Sequence, residues 1–233
     1  MNKRSYKQID VFSHRPGDGN PLAVIMDGNG LPERTMQRFA AWTNLSETTF
    51  LLPPTDEGRA AGADYRVRIF TPGGELPFAG HPTLGTCHAW LQAGHQPHDP
   101  DTIVQESAQG LVRIRRQGET LAFAAPPMQR SAPNPAMLAL VTGALGLRSG
   151  QIQAAQLLDN GPRWLGLLLD NADTVRGLQP DHARLKDLGQ DVGVVHVAPT
   201  ASDTSQPGVV VRAFAAPMGN PEDPVTGSLN ASL

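Results

Sequence analysis

Cysteine is nearly absent from this 233-residue chain. With Cys87 alone, no internal disulfide, no cysteine-rich zinc site and no chemistry resting on two opposed thiols can be built. Charge is also sparse: Asp, Glu, Lys and Arg make up 18% of the residues, with 19 Lys+Arg against 22 Asp+Glu and a net charge of −3. Basic runs are lacking, which argues against nucleic acid as a partner. No apolar stretch approaches the roughly 18 residues of a membrane helix. The opening Met1-Asn2-Lys3-Arg4-Ser5-Tyr6-Lys7-Gln8 has no apolar signal core. A cytoplasmic protein without membrane contact is therefore expected. Seven histidines (14, 81, 88, 95, 98, 182 and 196) show no HExxH or similar paired spacing. His95 and His98 merely flank a loop, so no metal site is expected.

Several enzyme classes fall away for want of a motif. Gly73-Gly74-Glu75 lacks the Lys-Ser/Thr of a phosphate loop, and no GxGxxG follows a strand. Ser131, Ser202 and Ser205 lie in polar loops without a GxSxG elbow. Cys87 falls inside a helical stretch beside Leu84 and Leu91, as buried filler would.

What the chain does have is glycine and proline, 24 and 21 residues spread over its whole length, marking many turns between short elements. Gln8–Phe12 and Leu22–Met26 read as strands across a Gly/Pro/Asp-rich turn. Leu31, Met36, Phe39 and Ala40 mark one face of a helix over 31–42. Thr48–Leu52 and Tyr65–Phe70 return to strand character, and a helix over 82–91 ends before Gly94. The loop Pro126–Pro135 carries four prolines and divides the chain into domains 1–126 and 127–233. The second half repeats the order of strands and helices, with helices over 136–147 and near 180–188.

The halves can be laid on one another so that His81-Pro82-Thr83-Leu84-Gly85-Thr86 falls on Asp223-Pro224-Val225-Thr226-Gly227-Ser228 and Gly19 on Gly161. Arg68-Ile69-Phe70 and Arg212-Ala213-Phe214 lie one strand upstream in each half. The reading is two copies of one α+β unit facing each other across a cleft. His81 and Asp223 then stand directly before Pro, as N-caps stand before N1. Helix N-termini favour anions, so a small carboxylate suits such a pocket, although ordinary caps look the same. Glu47, between the helix and a largely apolar strand, is the third candidate. Partial desolvation would suit it to acid/base work; a solvent-facing strand residue is the alternative.

These residues carry a resemblance. GNPLAV (19–24), NLSET (44–48), FTPGGELPFAGHPT (70–83) and EDPVTGS (222–228) resemble the signature segments of the PhzF-type phenazine-biosynthesis proteins, of the diaminopimelate epimerase-like fold. The resemblance implies two similar domains, each a mostly antiparallel sheet wrapped around a central helix, with the active site between them and homodimers common. It implies a cofactor-free isomerase, the best-understood member acting on trans-2,3-dihydro-3-hydroxyanthranilate. By the same resemblance Glu47 is the acid/base, His81 and Asp223 its catalytic companions, and Ser46, Gly80, Gly227 and Ser228 line the substrate pocket. The amino-acid racemase relatives use two cysteine bases, and Cys87 matches neither.

One departure stands out. From His81 the first half runs on to Pro127, whereas from Asp223 the chain runs only to Leu233. By its own repeat the second domain is expected to be incomplete, with a final helix over 224–233 lacking its closing strands. Two functions stay open on the sequence: an isomerase, or a non-catalytic truncated remnant that binds a small carboxylate.

Overall fold

A computed structural model describes residues 3–125, 127–198 and 208–233; Pro126, Ser202 and Ser205 lie outside the described residues. The fold is mixed α+β, and the chain divides into two compact units, Met1–Ala124 and Ala125–Leu233.

The first unit contains β1 (Tyr6–Val11), β2 (Asn20–Ile25), α1 (Glu33–Thr43), β3 (Glu47–Leu52), α2 (Asp56–Ala60), β4 (Tyr65–Thr71), β5 (Gly74–Leu76), α3 (Gly80–Gln92), β6 (Thr102–Ser107), β7 (Gly110–Gln117) and β8 (Thr120–Phe123). Its sheet runs β1-β2-β3-β4-β6-β7-β8, with β5 hairpinned onto β4. Among the described residues the β2/β3 and β4/β6 pairings are parallel and the others of this sheet antiparallel. The two faces of the sheet bury different partners. On one, Met36 and Ala40 of α1 pack with Ile25, Phe50, Leu52 and Phe70, flanked by Leu31 and Phe39, the helical face read from the sequence. On the other, α3 places Cys87, Ala89 and Trp90 among Val11, Leu22, Val24, Val67 and Ile69. Gly85 makes that approach possible: a Cβ there would lie 2.6 Å from Leu22 Cδ2 and 2.7 Å from Val11 Cγ2.

The second unit contains β9 (Gln129–Ser131), α4 (Pro135–Ala144), β10 (Ile152–Asp159), β11 (Arg163–Leu169), α5 (Ala172–Gly177), α6 (His182–Leu188), β12 (Asp191–Val197), β13 (Val209–Ala215), β14 (Asn220–Asp223) and α7 (Gly227–Asn230). Its sheet order is β14-β13-β12-β11-β10-β9. Leu165, Leu167, Leu169, Val192, Val194 and Phe214 bury one face with Val141, Val175 and Leu185 of the flanking helices. Leu158, Trp164, Ala213 and Ala215 bury the other with Leu229 of α7. No helix among the described residues is long and apolar enough to cross a membrane.

Two expectations about helix starts are corrected. His81 is not a cap: α3 begins at Gly80 after Ala79, with His81 and Pro82 inside its first turn. Proline is tolerated there because the first amides of a helix have no intrahelical partner. Asp223 is not a cap either. It closes β14 opposite Ala213, and α7 starts four residues later behind Thr226. The final helix therefore covers Gly227–Asn230, not 224–233.

Candidate active site

Glu47 owes its place to the way α1 ends. Asn44 takes the left-handed conformation (φ 55°) as the helix's C-cap, a geometry asparagine tolerates better than most residues. Ser46 then donates a hydrogen bond to Oδ1 of the buried Asn20, 3.1 Å away at the start of β2. The chain turns directly into β3, where Glu47 is the first residue and sits beside Leu22. Its side chain is only 17% exposed, so the expected desolvation is real and the solvent-facing alternative falls.

His81 reaches Glu47 from the first turn of α3. Its Nε2 lies 3.4 Å from Glu47 Oε2, with the imidazole 7% exposed. Burial lowers the His81 pKa to about 4, so the ring is neutral near pH 7. Gly80 stands just before it under the Phe123 ring, where a Cβ would meet Cζ at 3.3 Å. A buried relay holds this turn in place. Tyr65 donates to Gln105 Oε1 at 3.1 Å, Gln105 Nε2 donates to Thr83 Oγ1 at 3.1 Å, and Thr83 donates to the Ala79 carbonyl at 2.9 Å.

The depressed pKa has a measurable consequence. Between about pH 4 and 6.5 the unfolded chain binds a proton at this position that the folded chain refuses. His81 thus supports stability above pH 6.5, and that support is lost as pH falls toward 4. The loss amounts to about 3 kcal/mol. His81→Asn should show a correspondingly shallower fall in urea midpoint between pH 7 and pH 4; an unchanged slope would contradict the assignment.

Cys87 plays no part in this chemistry. It is buried on α3, and burial pushes its thiol up to about 12 despite a hydrogen bond with Tyr65. Thiol reagents should leave it unmodified in the folded protein and label it only after denaturation. Rapid labelling with loss of activity would overturn that reading.

The second unit carries the other candidates. Asp223 ends β14 half-buried, and burial raises its pKa. Gly227 opens α7, and Ser228 follows with its hydroxyl accepting from the Trp164 indole N–H at 3.0 Å.

The structure also corrects how the halves correspond. In the first unit Arg68 reaches Glu75 on the paired strand, its Nε 2.6 Å from Oε1, and stacks 5.1 Å over Phe70. In the second, Arg212 Nε lies 2.6 Å from Glu222 Oε1, and the guanidinium stacks 5.0 Å over Phe214. Ile69 faces Leu76 in one hairpin, and Ala213 faces Asp223 in the other. Glu75-Leu76-Pro77-Phe78-Ala79-Gly80-His81 therefore matches Glu222-Asp223-Pro224-Val225-Thr226-Gly227-Ser228. His81 falls on Ser228, not on Asp223. The shared proline suggested the wrong superposition; the strand register fixes the right one.

Comparison with known proteins decides the family. The sequence model of the Phenazine biosynthesis-like protein family, PhzC-PhzF, matches residues 9–233. The chain belongs to the PhzC-PhzF family. It is 38% identical to Antisense-enhancing sequence 1 of Schizosaccharomyces pombe, covering 98% of this chain and 78% of that protein. It is 37% identical to trans-2,3-dihydro-3-hydroxyanthranilate isomerase of Pseudomonas aeruginosa, covering 98% of this chain and 77% of the relative. The crystal structure of a PhzF-family protein from Bacillus anthracis superposes with a TM-score of 0.84 at 23% identity, over 99% of this chain and 79% of that one. The last comparison shows the fold. Among the described residues no three His, Cys, Asp or Glu side chains cluster as a metal ion would require.

Proposed function

We propose that this PhzC-PhzF protein is an isomerase that moves a proton within a small, carboxylate-bearing cyclic substrate by acid/base catalysis, without a cofactor. The observation that carries the reading is the Glu47–His81 couple: a carboxylate withdrawn from water, 3.4 Å from a buried imidazole that burial keeps neutral near pH 7. A neutral ring accepts or donates a hydrogen bond without adding charge. Relatives named as isomerases of trans-2,3-dihydro-3-hydroxyanthranilate, at 34–37% identity, support that compound as the first substrate to try.

In the proposed reaction Glu47 takes a proton from the ring carbon beside the substrate hydroxyl. The C–H electron pair enters the conjugated system, and Glu47 returns a proton to a distant carbon, turning an enamine into an imine. His81 holds a polar group of the substrate beside Glu47. Ser46 and Gly80 flank that couple in the first unit; Asp223, Gly227 and Ser228 are the second unit's own candidate substrate contacts.

The test is a proton NMR time course in deuterated water with the dihydrohydroxyanthranilate added. Turnover with deuterium entering the ring is the expected result. Saturable binding without exchange would replace the isomerase by a carboxylate-binding protein.

A further inference from the structure

A groove of about 550 Å³ lies within the first unit, between α1 and the β4–β5 hairpin. Volumes of about 300–1,000 Å³ suit small organic molecules. It is a separate place from the Glu47–His81 couple. Phe70, at its base, packs with Met36 and Ala40 of α1. Glu47 instead meets His81 of α3, the helix that covers the opposite face of the sheet.

The two sides of the groove are tied together in two places. Gln37 Nε2, on α1, donates to the Thr71 carbonyl at 2.9 Å and the Pro72 carbonyl at 3.1 Å. Arg68, on β4, donates to Glu33 of α1 at 2.7 Å and forks onto Glu75 of β5. The width is thus set before any ligand arrives, which lowers the cost of binding. The hairpin side leaves the space open, since a Cβ on Gly74 would meet no atom within 4 Å.

The groove carries charge that the helix itself disfavours. Arg34 and Arg38 line it one turn apart on α1, where like charges repel. Arg34 also lies in the first turn, beside the positive end of the helix dipole. Both are exposed, and neither joins an ion pair or a side-chain hydrogen bond among the described residues. The nearby acids are occupied, because Glu33 and Glu75 share Arg68. Three arginines against two glutamates leave a single positive charge, with free donors on Arg34 and Arg38. Guanidinium forks match the two oxygens of a carboxylate. Ala41 and Phe70 beside them suit an apolar body better than a bare inorganic ion. We infer that this groove is a binding site for a small organic monocarboxylate, its carboxylate held by Arg34 and Arg38 and its carbon body lying toward Ala41 and Phe70. The site does not depend on the isomerase reading, in which neither arginine takes part.

The experiment titrates the full chain with benzoate and with its uncharged analogue benzamide, reading affinity by calorimetry and location by amide NMR shifts. Benzoate should bind and shift the amides of α1 and of the hairpin from Thr71 to Glu75. Arg34→Gln and Arg38→Gln should each weaken it about tenfold. Arg38→Lys, which keeps the charge without the fork, should fall between Arg38→Gln and wild type. His81→Asn should bind benzoate as wild type does, and benzamide should bind at least about tenfold more weakly than benzoate. Both arginines are exposed, so their variants should melt with wild type. Shifts confined to Glu47, His81 or the second unit would overturn the inference. So would arginine variants that bind unchanged, equal affinity for benzamide, or no binding of benzoate at all.

Discussion

Glu47→Gln should bring turnover down by about a thousandfold or more while ligand affinity changes little. The amide keeps the size and shape of the carboxyl but neither takes nor gives a proton at the pH of the assay. Removing a positioned acid/base group typically costs factors of about 100 to 10,000, and here the same carboxyl faces the substrate proton directly in the proposed step. Folding should not suffer. The side chain is 17% exposed beside a buried, neutral imidazole, so losing a withdrawn charge tends to stabilise. The measurements are isotope uptake by NMR, ligand affinity by calorimetry and the melting temperature. A variant that turns over normally removes Glu47 from the mechanism. One that melts far below wild type would make its loss of activity a folding effect, and Glu47→Asp would then be the informative comparison.

The largest expected effect on stability is that of Trp164→Ala. Trp164 is 2% exposed and packs with Leu158, Ala213, Ala215 and Leu229. Its indole also holds the Ser228 hydroxyl. Truncating a buried large aromatic costs about 3–5 kcal/mol, a large share of the roughly 5–15 kcal/mol that a domain possesses. Trp164→Phe refills most of the space but leaves Ser228 without its donor, and should cost about 1–2 kcal/mol. Urea denaturation read by far-UV circular dichroism separates the two. Equal costs for Phe and Ala would mean that the hydrogen bond, not the packing, holds this face together.

Most of the scaffold was legible because one-faced burial leaves a period in the sequence. Met36, Phe39 and Ala40 announced α1, and the alternation of Tyr65, Val67 and Ile69 with Arg66 and Arg68 announced β4. Glu47 and His81 were legible as members of motifs, though nothing local says that they meet at 3.4 Å. That contact depends on the left-handed Asn44, the Ser46–Asn20 hydrogen bond and the relay from Tyr65 to Ala79, which join residues far apart in the chain. The starts of α3 and α7 were misread for a physical reason. A polar residue before proline is what a helix cap looks like, but Pro82 lies inside the first turn of α3, which has already begun at Gly80, while Pro224 follows strand β14 and its helix waits for Gly227.

The two Arg–Glu forks explain how copies of different loop length keep the same chemistry in place. Arg68 and Glu75 are seven residues apart, Arg212 and Glu222 ten, yet both pairs close with the same atoms. Each fork acts as a reading-frame mark in three dimensions: the residues after the glutamate are counted from it, whatever was inserted ahead of it. Such a hairpin accepts additions at its tip without moving the glycine and the polar residue that follow. Between the two units the difference in length thus falls in the loop before the glutamate, while the stretch from Glu75 to Gly80 and from Glu222 to Gly227 keeps one length.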